Sequence, residues 1–165
     1  MRRILISLLA LLCMASCGRR RNAPAQEAAA DSRPRVFLPA IAPSSLSPDE
    51  RRDYLRVHYW DRFDFTDTLF TVRADTLQMV EAYARYIALI SDRPTDGSPI
   101  DSLMRRASSS RKMLDYFSML AEQVLHDPNS PLRNDEFYIP VLQAQLRSPW
   151  YDEYERIAPQ YDLEM

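Results

Sequence analysis

The sequence predicts an all-α fold: a single compact bundle of about five to six short helices, after a signal peptide and a disordered tether. Three observations carry this. From Ser47 onward, apolar residues recur every three or four positions and are punctuated by helix-capping residues. No alternating apolar stretch long enough for a sheet strand appears there. Only one glycine, Gly97, follows the tether. About 119 residues, Ser47 to Met165, suffice for one core that buries roughly two-thirds of the unfolded surface.

The first segment, residues 1–16, reads as a lipoprotein signal peptide. Arg2 and Arg3 precede an apolar run from Ile4 to Leu12 that only Ser7 interrupts, and Ala15 and Ser16 supply small residues before a cut. The run falls short of the roughly 20 apolar residues that span a bilayer; the alternative is a short anchor that is never cut. Both cysteines lie at its end, within residues 11–21. Cys13 follows two bulky leucines, whereas Met14-Ala15-Ser16-Cys17 looks like a bacterial lipobox, with Met14 departing from the usual Leu. Cys17 is therefore the expected lipid attachment site, which leaves neither cysteine for redox or metal chemistry, and two or more acyl chains give stable anchoring. Gly18, rather than Asp, resembles the sorting pattern for the outer membrane, and the basic run Arg19-Arg20-Arg21 differs from acidic surface-display signals. The expected location is the periplasmic face of the outer membrane. That basic run either favours anionic head groups or is simply a solvated run.

Residues 17–46 carry four prolines and Ala28-Ala29-Ala30, without periodicity, and read as a flexible tether of roughly 30 Å reach. Val36, Phe37, Leu38 and Ile41 are apolar for a tether and are expected to lie against the domain, in preference to forming a partner's docking strip.

The helical domain, 47–165, follows. Ser47-Pro48-Asp49-Glu50 is a capping box with proline at the first helical position, leading into Tyr54, Leu55, Tyr59 and Phe63. Asp75 with Gln78 starts a second helix whose stripe is Leu77, Val80, Ala84 and Ile87, widened by Tyr83 and Ile90 and stopped by Pro94 and Gly97. Ser98-Pro99 starts a third, short helix carrying Ile100, Leu103, Met104 and Ala107. Ser108–Ser110 break the chain and cap a fourth helix bearing Met113, Phe117, Leu120, Ala121 and Val124. After the loop Asp127–Pro131, Asn134 caps a fifth helix with Ile139, Leu142 and Leu146, which Pro140 kinks or re-starts. Ser148-Pro149 starts a sixth, with Trp150, Tyr151, Tyr154 and Ile157, ending near Pro159. The Ser-Pro starts at 47, 98 and 148 share only cap chemistry, so no repeat is read.

Loss of residues 1–16 removes Arg2 and Arg3 from 21 basic residues and none of the 23 acidic ones, leaving a net charge of −4. That mild acidity argues against a nucleic-acid partner. The densest chemistry is HYWDRFDFTDTLF, residues 58–70, where Asp61, Asp64 and Asp67 alternate with Trp60, Phe63, Phe65 and Phe70. A calcium loop needs acids at alternating positions and a glycine, and this stretch has neither. The aromatics are expected to plug the core, with the aspartates serving turns and caps, so the stretch is a structural or interaction motif and no metal is expected. His58 stands one helical turn before Asp61 and could do acid–base work with it. His126, at the end of the fourth helix, suits the C-terminal dipole. No nucleophile triad, glycine-rich phosphate loop, zinc spacing or mature Cys-x-x-Cys is present, so no catalytic residues and no cofactor are expected. Trp150 with Tyr151, Tyr154 and Tyr161 reads equally as an interface or as packing of the last helix.

HYWDRFDFTDTLF and, more specifically, LHDPNSPLRNDEFYIPVLQAQLRSP (residues 125–149) resemble an uncharacterised helical domain family of lipoproteins from Gram-negative gut and oral anaerobes. The resemblance covers about residues 47–160. In many members this domain precedes a thioredoxin-like domain of the thiol–disulfide oxidoreductase type; no catalytic residues are established for the helical part. The resemblance implies a non-catalytic, lipid-anchored module that binds or assists an envelope protein, such as a thioredoxin-like oxidoreductase. With no Cys-x-x-Cys before Met165, no redox activity of its own is expected. The rival reading is a small hydrolase using His58 with Asp61.

Overall fold

The computed structural model describes residues 34–92 and 96–165. The signal peptide, Cys17 and the tether up to residue 33 lie outside the described residues, as does Pro94. Pro34–Met165 forms a compact unit, so the docked chain begins well before the first capping box at Ser47. Among the described residues the fold is helical: α1 (Pro48–His58), α2 (Phe70–Arg73), α3 (Thr76–Ser91), α4 (Ser98–Ala107), α5 (Arg111–Ala121), a π-helical turn (Glu122–His126), α6 (Asp135–Arg147) and α7 (Ile157–Glu164).

Four helix starts are set by side chains reaching backbone N–H groups that helical geometry leaves unpaired. Ser47 and Glu50 make the reciprocal bonds of a capping box. Asp75 accepts from Gln78 N–H at 3.1 Å, Ser110 from Met113 at 3.3 Å and Asn134 from Phe137 at 3.1 Å. α4 starts differently, on Gly97 with φ 77°, a left-handed conformation that costs glycine little. A Cβ there would sit 3.1 Å from Cγ of Pro140, so the missing side chain also lets α4 approach α6.

α5 is the central element, touching α2, α3, α4, α6 and the π turn. It buries Met113, Leu114, Tyr116, Phe117, Ser118, Leu120 and Ala121, more than one stripe of its surface, as befits a helix covered on several sides. α4 buries the four residues expected of it. Three expectations need correction. Leu77 is 70% exposed, because α3 turns Met79, Ala82 and Tyr86 inward together with Tyr83, Ile87 and Ile90. α6 buries Phe137, Tyr138, Val141 and Ala144 beside Leu142 and leaves Ile139 exposed; Pro140 sits inside a continuous helix, against Gly97. The sixth helix does not run from Ser148. Ser148 Oγ accepts from Trp150 N–H, and Asp152 and Glu155 exchange side-chain-to-backbone bonds of 3.0 and 2.9 Å that hold residues 149–156 as turns. α7 follows, with Pro159 in its first turn, where its missing N–H costs no helical bond.

The segment before α1 packs as an extended strap. Arg35 forms an isolated parallel bridge with Ala74, and Phe37 is 3% exposed in an aromatic cluster with Tyr59, Trp60 and Phe63. No helix among the described residues is long and apolar enough to cross a membrane.

Candidate binding site

The stretch 58–70 ends α1 and crosses to α2, and its side chains divide cleanly between core and surface. Trp60, Phe63 and Phe65 are buried around Phe117 of α5, with ring centroids 5.4, 5.2 and 5.3 Å from it. The aspartates do not converge. Asp61 accepts from His58 Nδ1 at 2.6 Å and from Arg106 at 3.3 Å. Asp64 accepts from the Thr66 N–H at 2.8 Å and its hydroxyl at 2.7 Å, and those bonds hold its carboxyl below the usual carboxylate range. Asp67 pairs with Arg35 and accepts from Leu69 N–H. Among the described residues no three His, Cys, Asp or Glu side chains are placed to hold a metal ion.

Arg106 is the residue that sequence reasoning missed. Forty-five residues from Asp61, it donates to that carboxylate and to the Trp60 carbonyl at 3.0 Å, and lies 4.5 Å above the Phe65 ring. It ties α4 to the end of α1. The capping and apolar pattern of α4 marks its buried face only, so nothing in the sequence signals this partner.

His58 and Asp61 therefore meet, with Tyr54 stacked on the imidazole at 4.3 Å. The pair is half-exposed, and its carboxylate is shared with a guanidinium. Such a pair can hold and relay a proton. The nearby cavity of about 230 Å³ is lined by Arg56, Trp60, Tyr86, Ser102 and Arg106, with neither His58 nor Asp61 in its wall. Arg56 in that wall is already committed to Asp53, to Asp92 at 3.0 Å and to the Leu89 carbonyl at 3.1 Å. Burial pushes the Tyr86 hydroxyl up to about 12. The wall is thus a neutralised, partly apolar surface suited to packing or binding rather than to proton transfer.

His126 closes the π turn and stacks on Tyr138 of α6 at 4.6 Å, with its Nδ1 buried and unpartnered among the described residues. Of the C-terminal aromatics, Tyr151 packs against the core and donates to Asp115 at 2.8 Å. Trp150, Tyr154 and Tyr161 remain exposed.

A second cavity of about 260 Å³ lies beside the strap, between Val36, Leu38, Phe63 and Phe70, with Asp64 and Asp67 at its rim. Both cavities thus touch the Asp-rich stretch, the first through Trp60 and this one through Phe63, Asp64, Asp67 and Phe70.

Comparison with known proteins adds two findings. The chain matches a solved crystal structure of a thioredoxin-like protein from Bacteroides caccae ATCC 43185, with TM-score 0.67 and 36% identity over 78% of this chain. The match spans about half of that protein, 47% of its length. No curated protein matches. A family model described as a domain of unknown function, DUF5106, matches residues 16–165, nearly the whole sequence, and the chain therefore belongs to the DUF5106 family.

Proposed function

We propose that the chain is a non-catalytic, lipid-anchored envelope module that binds or assists a thioredoxin-like oxidoreductase. The observation that carries this reading is the 36% identity to a thioredoxin-like protein of which the chain covers 47%. A thioredoxin-like fold is built on βαβ units. On this reading the thioredoxin-like part of that neighbour is the half that the match does not span, since the described residues here form helices and a single isolated bridge. A helical module that travels with such a domain in one chain is suited to work beside one in another. On this reading Cys17 supplies the anchor, at the periplasmic face of the outer membrane, and residues 18–33 tether the domain so that it searches nearby.

Native crosslinking in cells, followed by capture of the full-length lipoprotein, tests this. The expected result is a thioredoxin-like envelope protein among the adducts, lost with the membrane association in Cys17→Ala and kept in Cys13→Ala. An unlipidated wild type by mass spectrometry removes the anchor, and adducts without any thioredoxin-like protein remove the oxidoreductase partner. The 2.6 Å His58–Asp61 contact supports the second reading, a small hydrolase. Turnover of an ester or peptide substrate that His58→Ala abolishes would establish that reading instead.

A further inference from the structure

The strap lies on the helical body as a ligand peptide lies on a receptor. Arg35 N–H donates to the Arg73 carbonyl at 2.7 Å, and the Arg35 carbonyl accepts from Asp75 N–H at 2.9 Å, so the two bonds straddle Ala74 as in a parallel ladder. Two residues on, Phe37 N–H donates to Gln78 Oε1 at 3.1 Å and its carbonyl accepts from Gln78 Nε2 at 2.8 Å. One side-chain amide on α3 thus stands in for a neighbouring strand. Residues 35 and 37 bond the body while Val36 and Leu38 face outward, 53% and 61% exposed, which is the two-residue period of an extended chain. Phe37 is the anchor, stacked on Trp60 at 4.7 Å and edge-on to Phe63 at 5.5 Å. Arg35 adds an ion pair to Asp67. Main-chain bonds combined with a pocket for alternate side chains are how strand-addition modules hold extended peptides.

The walls of this groove have supports of their own. Tyr59 donates to the Ala82 carbonyl at 2.9 Å, the Trp60 carbonyl accepts from Arg106, and Phe63 and Trp60 pack on Phe117. The strap itself contributes one buried side chain, Phe37, with a further bond from Ala40 N–H to the Tyr59 carbonyl at 3.2 Å, and then an exposed turn at Pro43, Ser44 and Ser45 before α1. We infer that the groove between α1, α2 and α3 is a peptide-binding site occupied in cis by residues 35–42, and that its ligand in trans is an extended peptide with an aromatic anchor and a basic residue two positions before it. This rests on reading the chain as a binding module and names the surface it uses.

The probe is a fluorescent synthetic peptide, RVFLPAIA, residues 35–42, added to the full chain. A short connection holds the strap at an effective concentration on the order of 1 mM, so a peptide with a Kd on the order of 10 µM is outcompeted about 100-fold in the wild type. Full-length Phe37→Ala is expected to bind the peptide about 100-fold more tightly than wild type does. Gln78→Ala added to Phe37→Ala is expected to lose at least about tenfold of that affinity, and a peptide with Ala in place of Phe should bind neither chain. In case Phe37→Ala does not fold, a second full chain carries a protease site at residues 43–45 and is nicked after folding. Its strap should exchange with excess peptide while the helical signal in circular dichroism persists. A folded Phe37→Ala chain that binds no peptide overturns the proposal, as does a nicked chain that unfolds when the strap leaves. A wild-type dimer holding exchanged straps makes a second copy the occupant and also overturns it. Peptide binding without a crosslinked thioredoxin-like protein would keep the groove and remove only that partner.

Discussion

Tyr83→Phe should stabilise this protein, and Tyr59→Phe should weaken it, although both delete one buried hydroxyl. Tyr83 is fully buried on α3, and its hydroxyl has no hydrogen-bond partner among the described residues. Burial pushes that hydroxyl's pKa far above its ordinary value. A buried hydroxyl without a partner costs roughly 1–3 kcal/mol, and deleting it leaves an oxygen-sized void worth a few tenths of a kcal/mol. The ring, 6.3 Å from Trp60, stays. The net expectation is a gain of about 1–2 kcal/mol. Tyr59 differs in one bond: its hydroxyl donates to the Ala82 carbonyl at 2.9 Å, so removal should cost about 0.5–1.5 kcal/mol. Urea unfolding followed by circular dichroism reads both. With m near 2 kcal/mol/M, the midpoint should rise by about 0.5–1 M in Tyr83→Phe and fall by about 0.3–0.7 M in Tyr59→Phe. A fall of about 0.5 M or more in Tyr83→Phe would refute the reasoning, because the hydroxyl would then be satisfying a bond.

Gly97→Ala should destabilise by about 1–2 kcal/mol in the same assay, since alanine meets both the positive φ of 77° and the Pro140 ring 3.1 Å away; an unchanged midpoint would show that α4 and α6 part easily. Phe63→Ala should cost about 3–5 kcal/mol, because its ring contacts Phe37, Phe65, Phe70 and Phe117 in the buried cluster; a loss under about 1 kcal/mol would mean the cluster collapses to fill the gap. Stability should also fall at high pH. Burial raises Tyr59, Tyr86, Tyr116 and Tyr138 to about 12, against about 10 in the unfolded chain. Above pH 10 the unfolded state gives up protons first, so stability is complete below about 10 and drains away as pH rises through 12. Tyrosinate absorbance and helical signal should therefore change together in that window, and ionisation of all four without loss of helix would contradict it.

What the sequence made legible was local. Caps are legible because donor and acceptor lie three residues apart: Ser47 with Glu50, Asp75 with Gln78, Ser110 with Met113 and Asn134 with Phe137. α4 could be read down to its four buried residues because Ile100, Leu103, Met104 and Ala107 form one narrow stripe. α3 could not, because it meets α1, α5 and the π turn and its apolar residues exceed one stripe, so Leu77 looked as good an inward residue as Met79. The start of the last helix was hidden by Ser148-Pro149, which has cap chemistry yet serves a turn, while Pro159 marks a beginning and not an end.

The strap shows the deeper limit. A lone phenylalanine in a proline-rich run has no period to detect, and the complementarity that fixes it lies 41 residues away in the Gln78 amide. Gln78 itself reads as part of a helix start, since its N–H meets the Asp75 cap. Its backbone amide completes the helix while its side-chain amide presents a strand-like edge. That double use is invisible to any pattern of apolar spacing, because it depends on the pairing of two polar groups across space. The same holds for Arg106, whose guanidinium joins Asp61 and the Trp60 carbonyl from another helix. In this fold the apolar pattern decides which helices form, and a few long polar side chains decide how the connecting segments are pinned to them. The surface on which an extended chain can dock is a product of that second layer, which is why it emerges only once the helices are in place.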